Sequence, residues 1–433
     1  MSATFMNSTN QLAVLKELYP EDGAFLKDLV YRKNPGLALL PKDESPDGFA
    51  GKYIPVPTVY GDPMGRSASF ANAQSNQTAV ADVSFFVYVA KNYQLCSLQN
   101  LFIEQTKSKA GAFVDGVKLA MDKSFRNLAS DMAHDLFSDG TGSRGAISSI
   151  TSGVIVLTDP SQVTQFEVGM VLVSYSVSSL TATISTGGNL GYVIAVNRSF
   201  TAPTITVSAT QGGSAGTPTN WSTSFPNLAV QGDVNFASGG LGIGNGLAQK
   251  MVGFGGWLPS TAPTTGDSFW GVDRSVDTRL SGVYLDVSAE SIEEGIIDLA
   301  TAVNLNGGEP DMCFINFSSY AALLKSLGSK VQYVQVEHDN ADISFKAIHL
   351  QTPYGAIPVI PDRSVPAKTV YLLQMDVWKL RSLGKAPHIL TYGPEGLEAL
   401  RISTDDGLEI RLALYGNIIC SAPGWNGRAL LSQ

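Results

Sequence analysis

The sequence predicts a mixed α+β protein, and three observations support this fold class. A long amphipathic helical pattern extends over Leu98–Phe137, and a group of short β-branched strands follows between residues 150 and 212. From Asp286 onward, helical and extended patterns alternate. The chain has no internal repeat and no strict series of β-α-β units, which is consistent with the mixed α+β class.

The composition indicates a protein whose surface is largely covered by other copies of the same chain. The 433 residues are enough for two or three domains, yet only 15% are charged, against about 25% in an ordinary soluble domain. The net charge of -9 argues against nucleic-acid binding by bulk electrostatics. No apolar run reaches the roughly 20 residues that span a bilayer, so no membrane partner is expected. Cys96, Cys313 and Cys420 lie far apart in apolar stretches. This pattern indicates buried free thiols in a protein that folds in a reducing cytoplasm.

The first hundred residues predict an arm followed by a ribbon. Two short amphipathic segments, Leu12–Leu18 and Phe25–Val30, have no core of their own and must dock elsewhere. Two extended runs, Lys52–Tyr60 and Ala81–Tyr93, then enclose the small polar tip Gly61–Ala79. Because an isolated hairpin is marginally stable in water, the ribbon is expected to lie against another chain or another part of this one. An ordinary surface hairpin remains the alternative.

The long helix carries one apolar stripe, formed by Phe113, Val117, Met121, Phe125, Leu128, Met132 and Leu136. Lys118, Lys123 and Arg126 fall off the stripe and belong to the densest positive group in the chain. This side of the helix is either solvated or in contact with an acidic partner or DNA. His134 lies between two aspartates, a pattern interpreted as a helix-surface ion pair.

Between Arg144 and Asp233 the composition changes abruptly. This stretch holds three charged residues, Asp159, Glu167 and Arg198, and five short β-branched strands. The strands are predicted at Val154–Leu157, Val171–Tyr175, Ala182–Ser185, Tyr192–Val196 and Thr204–Val207. They indicate a small antiparallel barrel or sandwich inserted into the host domain. The segment Gln211–Trp221 is interpreted as its exit linker.

The last third predicts two helices and several strands. Ser288 is the expected cap of a helix that includes Ile292 to Val303, and a second helix follows a buried strand at Asp311–Asn316. Further strands are predicted at Val331–Val336, Ile343–Gln351, Ile357–Ile360, Thr369–Leu380 and Leu408–Tyr415, with Ile418–Ala422 behind the last one.

No catalytic constellation emerges from the motifs. The glycines of Gly239–Gly246 lack the spacing of a phosphate-binding loop, and Ser143 lies in only a loose likeness of a nucleophile elbow. None of the four histidines pairs with a histidine or cysteine at metal-ligand spacing. The sequence therefore predicts a protein that is not an enzyme and that needs no cofactor or metal.

Several stretches resemble, in number and order, the major capsid proteins of tailed double-stranded DNA bacteriophages. They are Asp267–Thr278, Ser281–Leu327, Tyr354–Ile360, Trp378–Leu380 and Leu412–Leu430. These are packing patterns, and the resemblance covers most of the chain apart from the inserted strands.

The resemblance implies the tailed-phage major capsid protein fold with an inserted small all-β domain. Its parts would be an N-terminal arm (1–48), an extended β-ribbon loop (49–96), a peripheral domain with the long spine helix (97–149), the insertion (150–212), a linker and irregular peripheral segment (213–281), the axial domain (282–390) and the C-terminal peripheral strands (391–433).

The same resemblance implies a structural virion protein that forms hexamers and pentamers in the bacterial host cytoplasm and encloses DNA in an icosahedral head. Its expected partners are other copies of itself, a separate scaffolding protein, the portal, a cement protein and non-specifically bound DNA. The candidate intersubunit contacts are Tyr53, Arg66, Phe70, Lys118, Lys123 and Arg126. Covalent cross-linking is not expected, because the tip has no lysine. The alternatives are a nanocompartment shell and, from another class, a β-rich tail or adhesin protein.

Overall fold

The structure is a computed structural model. It describes residues 34–45, 53–100, 116–178, 181–184, 190–199, 201–233, 250–327, 333–338, 341–391, 399–402 and 406–432. Both amphipathic segments predicted for the arm, the first turns of the long helix and the glycines of Gly239–Gly246 lie outside these residues.

The first third of the chain contains helix α1 (Pro35–Leu39), strands β1 (Lys42–Asp43) and β2 (Tyr53–Gly61), helix α2 (Phe70–Ser75), strands β3 (Ala81–Tyr88) and β4 (Ala90–Gln99), and helix α3 (Gly116–Phe137). Strands β2 and β3 pair from Tyr53 and Tyr88 at the base to Gly61 and Ala81 near the tip. They form a sheet of their own, so the predicted two-stranded ribbon is confirmed.

The long helix begins later than the sequence predicts. Leu98 and Gln99 belong to β4, where they pair with Leu408 and Gly407 of a C-terminal strand. Leu98 is buried and packs near Ala120 of α3, so strand pairing takes precedence over the helical periodicity at this point. The described helix ends at Phe137, as predicted, and Gly140 follows with a φ of 85°.

An inserted barrel occupies the next segment. Its strands are β5 (Gly145–Thr151), β6 (Val154–Leu157), β7 (Val171–Ser178), β8 (Thr181–Ile184), β9 (Gly191–Asn197), β10 (Thr204–Ser208) and β11 (Asn227–Val230). All pairs are antiparallel, and six strands close into a ring in the order β11-β5-β6-β10-β9-β7, with β7 pairing back to β11. Strand β8 extends β7 outside the ring. The five predicted strands are all present.

The barrel is larger than the predicted insertion. Strand β5 begins before residue 150 and β11 lies beyond residue 212, and these two strands close the ring. The interpretation of Gln211–Trp221 as an exit linker is wrong at Trp221, which is buried in the barrel core beside Gly191. A side chain on Gly191 would lie 2.4 Å from the Trp221 ring, so the indole fills the space that this glycine leaves.

The remaining elements are α4 (Phe254–Trp257), β12 (Ser268–Phe269), β13 (Val272–Asp273), β14 (Val283–Val287), α5 (Ile292–Leu305), β15 (Met312–Ile315), α6 (Phe317–Leu327), β16 (Tyr333–His338), β17 (Ala341–Gln351), β18 (Ala356–Pro361), β19 (Thr369–Leu373), β20 (Trp378–Ser382), β21 (His388–Ile389), β22 (Ala399–Arg401), β23 (Gly407–Cys420) and β24 (Gly427–Leu431).

Seven of these strands and two helices form an α/β lobe. The strand order is β14-β24-β19-β15-β18-β17-β16, with parallel and antiparallel pairs. Helices α5 and α6 cover one face of this sheet. The cap of α5 is Ser291 rather than Ser288: Ser291 Oγ accepts from the Glu294 backbone N–H at 3.3 Å, and Glu294 Oε2 accepts from the Ser291 N–H in return.

A second sheet is built around β23. This strand has β4 along one edge and β22, β21 and β20 along the other, and β1 pairs with β20. The predicted single run Thr369–Leu380 is therefore wrong, because a 3₁₀ turn at Met375–Val377 divides it between the lobe and this sheet. Trp378 Nε1 donates to Asn426 Oδ1 at 2.8 Å, which stabilises the change of direction.

An aromatic core joins the parts. Phe137 from the end of α3 lies 5.5 Å from Phe254 and 5.7 Å from Phe314 of the lobe, measured between ring centroids. Phe254 lies 4.7 Å from Trp378 of the β23 sheet. Gly253 makes this contact possible, because a side chain there would lie 2.1 Å from the Leu136 carbonyl oxygen. The chain at Gly253 therefore packs directly against the end of α3.

Candidate intersubunit surface

The described residues offer little for chemistry. Among them, no three His, Cys, Asp or Glu side chains are grouped so that they could hold a metal ion. Within the same ranges, none of the helices combines the length and the apolarity needed to cross a membrane. Cys96, Cys313 and Cys420 are free thiols and buried, and burial raises the pKa of Cys313 to about 12. The features that remain are exposed surfaces and one buried group of charges.

The ribbon tip exposes apolar side chains that the subunit leaves uncovered. Phe70 is 84% exposed, and Val59 and Met64 are each 64% exposed. Two hydrogen bonds close the tip: the Met64 N–H donates to Thr78 Oγ1, and the Thr78 N–H donates to the Met64 carbonyl, both at 2.9 Å. No residue of α2 is buried. Such a surface in water favours contact with a partner.

The base of the ribbon has the opposite character. Ile54 and Val56 of β2, with Phe85 and Val87 of β3, are buried against the central core. The Phe85 ring lies 5.2 Å from the Trp257 ring. The base is therefore held by the subunit itself, and the tip extends beyond it.

The predicted contact residues lie on two elements. Tyr53 is half-buried at the ribbon base, 4.8 Å from the Phe86 ring, whereas Arg66 and Phe70 are exposed in the tip. Lys123 and Arg126 are half-buried on α3. Lys118 lies on the same helix, but its side chain is outside the described part of the chain.

Sequence reasoning missed a second exposed surface, on the side of the β23 sheet that faces away from α3. Tyr93 and Leu95 of β4 are 50% and 53% exposed. The Tyr93 ring lies 5.8 Å from Tyr415, whose ring lies 5.7 Å from His388. The pattern that could have revealed this face is the alternation of Tyr93, Leu95 and the buried Cys96 and Leu98 along β4, which the longer helix prediction obscured.

A buried charge cluster lies where the barrel meets α3. It consists of Asp131 and Asp135 of α3, Arg144 before β5, and Asp233 and Lys250 after β11. Lys250 Nζ lies 2.5 Å from Asp131, 3.3 Å from Asp135 and 3.5 Å from Asp233. Arg144 forms an ion pair with Asp131, which also accepts from Asn92 Nδ2 at 2.5 Å. Both chain segments that connect the barrel are thus bound to one helix.

Protonation within the cluster follows from burial and charge. Burial opposes ionisation of Asp131, but Arg144 and Lys250 outweigh it and hold the pKa of Asp131 well below its usual range. Burial, helped by the Asp131 charge, raises the pKa of Asp135 to about 7. Burial and the Arg144 charge lower the pKa of His134 to about 4. Neutral pH therefore leaves His134 uncharged inside the cluster.

The interpretation of His134 as part of a helix-surface ion pair is wrong. Its Nε2 lies 3.0 Å from the Ser143 carbonyl oxygen, and the neighbouring aspartates point to Lys250 and Arg144. Asp233 and Lys250 were not singled out at all. The available indication was their position: Arg144 and Asp233 are the charged residues that bracket the charge-poor barrel sequence.

Both the sequence and the fold are similar to those of known capsid proteins. The sequence profile of the family described as SU10 major capsid protein matches residues 228–396. No curated protein matches the sequence significantly. Among solved structures, a chain of the Cyanophage A-1(L) capsid asymmetric unit is similar at 11% identity and a TM-score of 0.55, over 96% of this chain and 98% of that chain.

Two further structures are similar over nearly their whole length. The holo-SrpI encapsulin complex from Synechococcus elongatus PCC 7942 has 9% identity and a TM-score of 0.45, covering 99% of this chain and 95% of that one. The capsid of the empty GTA particle has 9% identity and a TM-score of 0.48, covering 96% of each chain. Of these three, the cyanophage chain has a TM-score above 0.5, and the fold assignment rests on it.

The expected capsid fold is therefore confirmed at the level of the whole chain, with the closed barrel as an insertion. A β-rich tail or adhesin protein does not account for α3 or the α/β lobe. The family match over residues 228–396 favours a phage capsid over a nanocompartment shell. Residues 228–396 are thus similar in sequence to the SU10 major capsid protein family, and the whole chain has the fold of a phage capsid protein.

Proposed function

We propose that this chain is a major capsid protein that builds the icosahedral shell of a phage head. In this proposal it assembles as hexamers and pentamers, and the ribbon of each subunit lies across a neighbouring subunit. The observation that carries the proposal is the contrast within the ribbon between a buried base and a tip with exposed apolar residues, above all Phe70. A contact at the tip removes apolar surface from water at about 25 cal/mol per Å², and a closed shell repeats that gain in every copy.

The division of the chain follows the domain order expected from sequence. Residues 282–390 would meet their copies at the capsomer centre as the axial domain. Residues 97–144 and 391–433 would form the peripheral domain around α3, with 231–281 as its irregular segment, because β5 and β11 belong to the barrel. Residues 1–48 and 49–96 would be the arm and the extended loop. The barrel would project from the shell or stabilise contacts between capsomers.

The partners beyond other copies follow from the same assignment. A separate scaffolding protein and the portal are proposed to direct assembly, and a cement protein is a further candidate for the finished shell. The net charge of -9 leaves packaged DNA only non-specific contacts with the inner surface. Lys118, Lys123 and Arg126 are the proposed basic contacts, directed inward or toward a neighbour.

Electron microscopy of the purified protein tests the assembly. Uniform icosahedral particles, or hexamers and pentamers, are expected with the scaffolding protein present. Phe70→Ser should give folded subunits that fail to form uniform shells. Val59→Ser and Val276→Ser form a matched pair, because the two valines are 64% and 65% exposed and only Val59 lies on the ribbon. Val59→Ser should reduce assembly, and Val276→Ser should leave it unchanged.

Two results would contradict the proposal. A wild-type subunit that stays monomeric with scaffolding protein present would remove the shell. Normal shells from Phe70→Ser and Val59→Ser would remove the ribbon tip from the contact while leaving the shell in place. The double variant Lys118→Glu/Lys123→Glu separately tests the basic side of α3, and normal shells from it would exclude that side from assembly.

A further inference from the structure

A cleft of about 920 Å³ separates the barrel from the α/β lobe. The barrel contributes the 3₁₀ turn Pro160–Gln165 and the loop 198–203, and the lobe contributes α6 and the start of α5. The two sides are connected at Asp159, whose Oδ2 accepts from the Ala367 backbone N–H at 3.0 Å. The cleft is therefore a defined space between two fixed walls.

The lining combines apolar walls with positive charge. Val163 and Pro203 line the barrel side, and Ile292, Phe317 and Ala321 line the lobe side, where Phe317 is 43% exposed. The charged residues of the lining are Arg198, Lys325, Arg363 and Asp159. Arg198 is paired with Glu167 at 3.1 Å, whereas Lys325 is exposed, so the cleft offers an exposed cation beside apolar surface to an amphipathic segment that carries acidic residues.

The chain enters the described fold beside this cleft. The Gly36 N–H donates to Asp362 Oδ2 at 3.1 Å, and Arg363, the next residue, lines the cleft. Asn34, two residues earlier, is the first described residue of the chain. The preceding residues are therefore tethered next to the cleft, which gives them an effective concentration in the millimolar range.

The preceding sequence has the complementary chemistry. Leu12, Leu15 and Leu18 recur at helical spacing, and Phe25–Val30 forms a second apolar group. The segment is acidic in balance: Glu17, Glu21, Asp22 and Asp28 outnumber Lys16 and Lys27, and Glu21 and Asp22 lie between the two apolar groups. Short amphipathic helices of this kind are not stable alone, so they require a surface on which to dock.

We propose that the segment Leu12–Val30 docks in the cleft of its own subunit and fixes the barrel relative to the lobe. The apolar residues would lie against Val163, Ile292 and Ala321, with the acidic residues near Lys325 and Arg198. This inference concerns the single subunit and does not depend on how subunits form a shell.

Photo-cross-linking of the full-length purified subunit tests the docking. Ala321, an exposed residue of the cleft, is replaced by photoreactive p-benzoylphenylalanine, and the cross-linked peptides are identified by mass spectrometry. The same replacement at Val276, an exposed residue outside the cleft lining, is the control. The expected product from position 321 is a monomer cross-linked to residues 12–30, in a yield independent of protein concentration. Position 276 should give no such product.

A second variant tests whether the leucines of the segment bind it to the cleft. Leu15→Ser/Leu18→Ser should reduce the yield at least about tenfold, since each buried leucine contributes about 1.5 kcal/mol or more and 1.4 kcal/mol corresponds to a factor of ten. The main thermal unfolding transition should be the same for the variant and the wild type, which would show that the variant is folded. Absence of cross-links to residues 12–30, or their appearance only in dimers, overturns the proposal. The dimer result would assign the cleft to a neighbouring subunit's arm.

Discussion

The barrel and the ribbon both extend from the central core, but they are stabilised in different ways. The barrel closes six strands into a ring around its own core, in which Ile155, Phe166 and Leu172 are fully buried. The ribbon has two strands, buries side chains only at its base, and carries Phe70 with 84% of its surface exposed. A ring has no free strand edge, whereas a two-stranded ribbon leaves both outer edges open apart from local contacts.

This difference separates the residues that stabilise the folded subunit from the residues that are available for assembly. The barrel has what a small domain requires, namely a core and a fixed attachment through the charge cluster. The central core supports the base of the ribbon, whereas the tip keeps apolar residues such as Phe70 exposed. Substitutions in the barrel attachment or the ribbon base should therefore lower the stability of the subunit, whereas substitutions in the tip should leave it almost unchanged.

Lys250→Met is expected to have the largest effect, because it tests the attachment of the barrel. Lys250 is 3% exposed and lies among three carboxylates, which would lose their buried counter-charge. Removal of one partner from such a buried group costs about 3–5 kcal/mol. Urea denaturation of the unassembled subunit measures the loss. Lys91→Met, on the exposed face of β4, is the control, and a loss below about 1 kcal/mol for Lys250→Met would show that the cluster does not hold the barrel.

Phe85→Ala should have the next largest effect, because it removes the support of the ribbon base. The Phe85 side chain is fully buried, 5.2 Å from the Trp257 ring and 6.4 Å from the Phe269 ring. Truncation of such a residue lowers the free energy of unfolding by about 3 kcal/mol or more. Phe86, the adjacent residue, is 39% exposed, and Phe86→Ala should cost about 1 kcal/mol. Equal losses for the two variants would contradict a base that is buried on one side only.

Asp135→Asn should change how stability depends on pH. In the wild type, folded Asp135 with a pKa of about 7 retains a proton that the unfolded chain releases near pH 4, so this group makes stability fall as pH rises. Folded His134 with a pKa of about 4 lacks a proton that the unfolded chain binds below about pH 6.5, so this group makes stability rise with pH. The two contributions oppose each other over the same range.

Removal of Asp135 leaves the His134 contribution, so the Asp135→Asn subunit should gain up to about 1.4 kcal/mol per pH unit between about pH 4 and 6.5, relative to the wild type. For His134→Gln, the free energy of unfolding relative to the wild type should change with pH in the opposite direction, because of the two groups only Asp135 remains. Thermal unfolding of the three proteins in parallel cancels the groups that they share. Parallel pH profiles for all three would mean that neither group titrates differently in the folded and unfolded states.

Phe70→Ser should have the smallest effect on the subunit. The side chain is 84% exposed and belongs to a helix without buried residues, so the free energy of unfolding should change by less than about 0.5 kcal/mol. Urea denaturation beside Phe85→Ala makes the comparison direct. A loss above about 1 kcal/mol would indicate that the tip packs against its own subunit.

The sequence predicts local elements well where one periodicity dominates. Strand β6 has the predicted limits Val154–Leu157, and the ribbon strands agree within a few residues except where Ala81–Tyr93 divides into β3 and β4. The barrel closure was not predictable in this way. Strands β5 and β11 are short and polar in part, and their pairing joins Gly145 to Leu228 across the whole insertion.

In the candidate site, the ribbon tip could be predicted from the sequence, whereas the charge cluster that attaches the barrel could not. The polar composition of Gly61–Ala79 makes Phe70 stand out as an apolar residue in a flexible stretch. The charge cluster combines residues as distant as Asp131 and Lys250, and only the folded chain brings them together. The split at Met375–Val377 was hidden for a similar reason, because Asn426 stabilises it from another part of the chain.

The pairing of β5 with β11 has a consequence for the exchange of domains. The Arg144 N–H donates to the Leu228 carbonyl at 2.8 Å, so the chain leaves the capsid fold and returns to it at one point. Paired antiparallel residues lie about 5 Å apart between Cα atoms, a gap that a short turn can close. A foreign domain with adjacent termini, grafted between these two positions, should therefore take the place of the barrel in each copy of the chain while the two connections stay where they are.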